Sequence, residues 1–161
     1  MTRTVGLLLP EEARARRDEL IALCAQAFGG APWHEPPLGA VRTVDRLLDS
    51  AARRPDFRAE AALGPDGALL GLAAGWTDTV LSGEDPAFEL AELVVAPAHQ
   101  GRGLGRALHD ALLARAGAGT ALLMTLDAPE LTDRYARWGW TVADRRRPAR
   151  ETRDYVVMHR P

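Results

Sequence analysis

The sequence predicts an α/β (α+β) fold, with a mixed, mostly antiparallel central sheet of about seven strands and helices on both faces. Three observations carry this. Short apolar runs alternate along the chain with helical patterns of three- and four-residue spacing. The stretch 88–127 is strand, helix, strand, and a single crossover helix normally joins parallel strands with right-handed sense. The segments 57–78 and 140–160 each hold two apolar runs around a turn and read as antiparallel pairs.

Residues 3–9 form the first expected strand, stopped by Pro10. A helix is expected over Glu11 to Phe28, with Leu20, Leu23, Cys24, Ala27 and Phe28 on one stripe and Gly29-Gly30 ending it. Prolines 32, 36 and 37 make the next segment a loop. A second helix is expected from Leu38 to Arg53, with Val41, Val44, Leu47 and Leu48 inside. Strands follow at Phe57–Leu63 and Ala68–Asp78, around the turn Gly64-Pro65-Asp66-Gly67. After a polar loop at 82–87, Phe88 to Val95 is a strand that stops before Pro97. Gly103 to Ala116 is a helix with Leu104, Leu108, Ala111 and Leu112 on one face. The nearly continuous apolar run Ala121 to Asp127 is a buried strand, and Glu130 to Trp138 a short helix closed by Gly139. A hairpin of Trp140–Asp144 and Asp154–Arg160 ends the chain, and no internal repeat is present.

At 161 residues one domain spanning 1–161 is expected. Hydrophobic residues at 47% and charged residues at 26% place it among folded domains, not disordered ones. A formal net charge of -2 lacks the basic excess of a nucleic-acid binder. The one cysteine, Cys24, sits in an apolar helical pattern and reads as a buried thiol. The apolar run before Pro10 is short for a secretory signal, and no stretch approaches the roughly 20 apolar residues of a membrane span, so a cytoplasmic protein is expected.

The most informative feature is a glycine turn between a strand and a helix. Glycines 101, 103 and 105 alternate with Arg102, Leu104 and Arg106, and no acidic residue lies between Gln100 and His109. Missing side chains admit a ligand to the backbone. The amides of a helix's first turn carry partial positive charge and suit a phosphate or pyrophosphate. A dinucleotide fingerprint fails, because its third glycine would fall on Arg106. A Walker loop fails too, because the chain contains no lysine.

The run Leu93-Val94-Val95-Ala96-Pro97-Ala98-His99-Gln100-Gly101-Arg102-Gly103-Leu104-Gly105-Arg106-Ala107-Leu108 resembles the signature of the GNAT acetyltransferase superfamily, whose Q/R-x-x-G-x-G/A core is matched by Gln100, Gly103 and Gly105. Tyr135-Ala136-Arg137-Trp138-Gly139-Trp140 is similar to the family's second region, with Trp140 for the usual phenylalanine. The resemblance implies an acetyl-CoA-dependent N-acetyltransferase whose cofactor lies between a splayed parallel strand pair. It implies that backbone groups of Leu93, Val94 and Val95 pair with the pantetheine. It also implies that Gln100, Gly101, Arg102, Gly103, Leu104, Gly105 and Arg106 form the pyrophosphate turn. Many relatives carry an asparagine where this chain has Ala128, so Asp127 is left as an open substitute. Relatives commonly dimerise, which makes a homodimer one expectation.

Acetyl transfer needs a neutral amine, a donor to the thioester oxygen and a proton for the leaving thiolate. The resemblance assigns the proton donor to Tyr135, and the residue alternatively packs under the cofactor. A tyrosine pKa of about 10 against about 8.5 for a thiol makes full transfer uphill, so hydrogen-bond donation is its main expected role. Glu92 is the candidate base, directly or through water, and reads alternatively as a solvated or structurally paired carboxylate. Glu89, three residues earlier on the strand, points to the other face. A backbone N–H near Val94 or Val95 is the expected oxyanion donor. Phe28, Trp33, Glu35 and Trp76 are candidate acceptor-site residues, because aromatic walls with a carboxylate suit a cationic amine. Trp33 reads equally as a core plug, and His34 is a weaker candidate base.

His34, His99, His109 and His159 show no metal-ligand spacing, so no metal is expected. Arg145, Arg146, Arg147, Arg150 and Arg153 read as a solvated cluster partnered by Asp144, Glu151 and Asp154, or as a contact for a CoA phosphate or an acidic partner. The acceptor is expected to be a small-molecule or peptide amine. The competing reading is an acyl-CoA-binding sensor or regulatory domain without turnover.

Overall fold

The computed structural model describes residues 4–117 and 119–161. Seven strands form one sheet in the order β1-β2-β3-β4-β5-β7-β6. The elements are β1 (Thr4–Leu7), α1 (Pro10–Ala15), α2 (Arg17–Gly29), α3 (Pro37–Arg53), β2 (Arg58–Leu63), β3 (Leu69–Asp78), β4 (Ala87–Val95), α4 (Leu104–Ala116), β5 (Ala121–Leu126), α5 (Pro129–Arg137), β6 (Thr141–Arg146) and β7 (Tyr155–Arg160). A single 3-10 turn, Pro97–His99, follows β4. The chain divides into two compact units, residues 1–76 with 92–117, and residues 77–91 with 118–161.

In the first unit, β1, β2 and β3 are antiparallel neighbours, with Val5 opposite Ala62 and Ala61 opposite Leu72. Ala59 to Ala62 of β2 and Gly71 to Trp76 of β3 are buried without alternation. Consecutive residues point to opposite faces, so both faces of this part of the sheet are covered. Leu20, Leu23 and Cys24 of α2, with Ala40, Val44 and Leu47 of α3, build the core of the helical layer. Leu104, Leu108 and Leu112 of α4 are buried, as is His109. Small residues on β2 and β3 let the layers approach closely. A Cβ on Gly71 would lie 2.9 Å from the carbonyl oxygen of Val94 and 2.8 Å from Cδ1 of Leu108.

The first expected helix is two helices. The chain turns at Arg16, whose φ of -102° and ψ of 21° leave the helical region. Its N–H is shared between Glu12 and Ala13 at 3.1 Å each, and its guanidinium donates to the carbonyl of Gly67 at 3.1 Å. Tethering to the β2–β3 turn thus accompanies the break, with no glycine or proline at the site to announce it.

In the second unit, β4 and β5 run parallel, in register at Phe88–Ala121 and Glu89–Leu122. β5 pairs with β7 antiparallel from Ala121–Arg160 to Leu126–Tyr155. The terminal hairpin forms as expected, and its second strand is the inner one. The run Tyr155 to Met158 is buried, whereas Thr141 to Arg145 is exposed, and the β6–β7 register shifts between Val142 and Asp144. A charged, bulged strand suits a sheet edge, where it discourages pairing with another chain.

Candidate active site

The glycine turn grows out of the end of β4. Gln100 closes it by donating from Nε2 to the carbonyl of Val95 at 2.9 Å. Gly101 and Gly103 hold φ values of 74° and 80°, the left-handed region that favours glycine. Gly103 is the N-cap of α4, and the first bond of the helix runs from Ala107 N–H to the Gly103 carbonyl. The amides of Leu104 and Gly105 lie ahead of that bond, at the positive end of the helix. A Cβ on Gly101 or Gly103 would meet nothing within 4 Å, so the turn opens outward. This open cradle fits a pyrophosphate approaching the backbone. Gly105 lies inside α4, so the three glycines have two different roles. Arg102 and Arg106 are exposed, and Arg106 pairs with Asp110 one turn later at 3.2 Å.

Glu92, on β4, is 8% exposed. Its Oε1 accepts from Nη2 of Arg46 on α3 at 2.5 Å. Burial pushes the carboxyl above its usual range, Arg46 pulls it down, and the charge of Glu35 pushes it up again. Burial, aided by Glu92, pushes the Cys24 thiol up to about 12, so it is a resting thiol and no nucleophile near neutral pH. Arg46 stands outside the sequence-based site because it lies on the polar side of α3, where an exposed arginine carries no signal of a buried partner.

The loop between α2 and α3 brings three candidate acceptor residues together. Phe28 and Trp33 meet edge to face at 5.4 Å, and the N–H of Glu35 donates to the Phe28 carbonyl at 2.8 Å. Glu35 folds over the first turn of α3, where Oε2 lies 2.9 Å from the Cβ position of Gly39. His34 is exposed, with φ of 49°. Trp76 is buried at 4% exposure, stacked on Phe57 at 6.1 Å and covered by the Arg54 guanidinium at 5.6 Å.

In the second unit Tyr135 is 8% exposed and meets Trp138 and Trp140 edge-on at 5.6 Å and 6.1 Å. Its carbonyl accepts from the N–H groups of Trp138 and Trp140 at 2.9 Å and 3.0 Å, which holds the end of α5 in place. Ala128 is the N-cap of α5 and supplies no side-chain cap. The Asp127 carboxylate is engaged by Arg145. The arginine cluster is largely paired: Arg146 with Asp144 at 3.1 Å, Arg147 with Asp154 at 2.9 Å and Arg153 with Glu151 at 3.3 Å. Arg146 also donates to the carbonyls of Val80 and Leu81, at 3.4 Å and 3.1 Å, tying down the loop before β4. Among the described residues no group of three or more His, Cys, Asp or Glu is placed to hold a metal, and no helix is long and apolar enough to cross a membrane.

The acetyltransferase (GNAT) family pattern matches residues 20–140, and the chain belongs to that family. No curated protein matches the sequence. Solved structures do. A histone acetyltransferase HPA2 and related acetyltransferase from Corynebacterium glutamicum is 18% identical, with a TM-score of 0.72 over 100% of this chain and 97% of that one. PaiA N-acetyltransferase from Thermoplasma acidophilum, solved in complex with coenzyme A, is 16% identical, with a TM-score of 0.68 over 99% of each chain. Both share the fold. A nourseothricin acetyltransferase is 28% identical over 66% of each chain, with a TM-score of 0.55.

Proposed function

We propose that this chain is a cytoplasmic N-acetyltransferase, one domain over 1–161, that moves an acetyl group from acetyl-CoA directly to a primary amine of a small molecule or peptide. The observation that carries the reading is the open turn at Gly101 and Gly103, set between β4 and the N-terminus of α4. Bound acetyl-CoA supplies an activated acyl thioester. The backbone of Leu93, Val94 and Val95 aligns its pantetheine arm, and Gln100 to Arg106 hold the pyrophosphate. Glu92 takes the proton from the incoming ammonium, leaving a lone pair on nitrogen to attack the acyl carbon. Burial raises its pKa, which strengthens it as a proton acceptor while it is ionised, and Arg46 opposes that rise. An N–H at Val94 or Val95 donates to the oxygen as charge develops. When the carbon–sulfur bond breaks, Tyr135 donates a hydrogen bond or proton to the departing sulfur. The second proton shed by the acylated nitrogen goes to the thiolate or restores the tyrosine, so that amide and thiol are released and Glu92 returns its proton to water. Phe28, Trp33 and Glu35 line the acceptor side, with Trp76 a more deeply packed contributor. Aromatic faces beside a carboxylate suit a cationic amine. The nourseothricin acetyltransferase adds weight to a small-molecule acceptor.

The test is release of free CoA thiol by purified protein with acetyl-CoA and a panel of primary amines. Amine-dependent release with formation of the amide is expected. Tight CoA binding with no transfer to any amine would favour a sensor domain. Thermal stabilisation by ATP or NAD but not by CoA would contradict the cofactor assignment.

A further inference from the structure

A buried carboxylate that must accept a proton faces a conflict. Burial favours its neutral form, which cannot act as a base. Glu92 is in that position, and the charge of Glu35 nearby worsens it. One cation answers it. Arg46 projects from the middle of α3, its side chain 63% exposed, and its Nη2 reaches Oε1 of Glu92 at 2.5 Å. No described residue donates a hydrogen bond to the other oxygen, Oε2. The Cys24 thiol on α2 is a further titratable neighbour.

We propose that Arg46 is a positioning residue of the acetyl transfer: from α3 its guanidinium holds Glu92 ionised by gripping Oε1, and leaves Oε2 to meet the acceptor ammonium. This rests on the reading of Glu92 as the base. Arg46 needs no contact with acetyl-CoA or the amine. Its exposed side matters, because a guanidinium reached by water keeps its own charge without desolvation while neutralising a buried partner.

The sign of the effect is fixed. Glu92 acts when ionised, so the transfer rate falls as pH drops through its pKa. Removing Arg46 takes away the influence that lowers that pKa, so the acid limb moves to higher pH. A rise of about one unit leaves about one tenth of the carboxylate ionised on the acid side, and so about one tenth of the rate. Well above the new pKa the rate recovers.

The test follows the glutamate side-chain carboxyl carbons by 13C NMR in the protein alone, with the Glu92 resonance identified by its loss in Glu92→Gln. In Arg46→Gln the Glu92 midpoint should rise by about one unit or more, and in Arg46→Lys it should return most of the way. The acid limb of kcat/KM, measured with the best amine of the panel, should move by the same amount, with kcat recovering above the new midpoint. A Glu92 midpoint in Arg46→Gln equal to wild type, in a protein with unchanged circular dichroism, overturns the role of Arg46. Full activity in Glu92→Gln overturns the base assignment itself, and the NMR midpoints separate the two failures. Arg46 is exposed on a helix, so neither of its substitutions opens a core cavity.

Discussion

Gly71→Ala adds one methyl group at the place where β3 backs onto β4 and α4. The new carbon would lie 2.8 Å from Cδ1 of Leu108, 2.9 Å from the Val94 carbonyl oxygen and 3.4 Å from Cγ2 of Val95. Leu108 is fully buried and cannot swing away, and the Val94 oxygen is backbone. Relief requires a displacement of about half an ångström in a close-packed layer. Overpacking of this kind costs about 1–3 kcal/mol. The smaller conformational freedom of alanine in the unfolded chain returns about 0.4–1 kcal/mol. A net loss of about 1–2 kcal/mol should lower Tm by about 2–8 °C for a chain of this size. Gly6→Ala is the control, because a Cβ there meets nothing within 4 Å. Thermal unfolding followed by circular dichroism measures both. The displaced Val94 is also a proposed pantetheine contact, so affinity for CoA should fall in Gly71→Ala and hold in Gly6→Ala. A Tm for Gly71→Ala equal to or above wild type would refute the packing argument.

Tyr135→Phe should reduce kcat several-fold with CoA affinity little changed, read by thiol release and by calorimetric titration; an unchanged rate would leave Tyr135 as the packing anchor of Trp138 and Trp140. Arg115→Ala removes the ion-pair partner of Glu60, which is 1% exposed on β2. The buried carboxylate then lacks its cation, at a cost of about 2–4 kcal/mol once the half-exposed arginine is discounted, and Glu60→Leu with Arg115→Met should recover most of it in urea unfolding. Cys24, with its thiol pushed up to about 12, should resist a thiol reagent at pH 8 in the native protein and react fully in denaturant. Its folded pKa lies above the unfolded value, so burial stabilises most below about pH 8.5 and that contribution is lost as pH rises toward 12.

Much of the fold was legible because its elements carry strong local signals. The prolines at 10, 36 and 97 and the glycine pairs mark boundaries within one or two residues. The crossover from β4 through α4 to β5 follows from a single helix between two apolar runs. The interruption at Arg16 was hidden, since the bond that accompanies it runs to Gly67, distant in sequence. The inner position of β7 was visible in principle: Tyr155 to Met158 are apolar, while β6 carries Asp144, Arg145 and Arg146. The glycine turn was legible in residue type, and only its dihedral angles separate Gly101 and Gly103 from the helical Gly105. Glu92 was legible as a candidate because it breaks an apolar strand. Its partner Arg46 was not, because nothing in one exposed helical arginine says which of many carboxylates it will meet. The pairing of Asp127 with Arg145 was hidden for the same reason.

The pyrophosphate turn is the centre of the account, and backbone amide shifts test it most directly. Titrating CoA into 15N-labelled protein should move the amides of residues 101 to 106 and of 93 to 95 more than any others. Gly103→Glu, which puts a carboxylate into the cradle, should abolish those shifts in a protein that still gives a folded spectrum. Binding of CoA that leaves amides 101 to 106 in place would contradict the site, and so would wild-type affinity in Gly103→Glu.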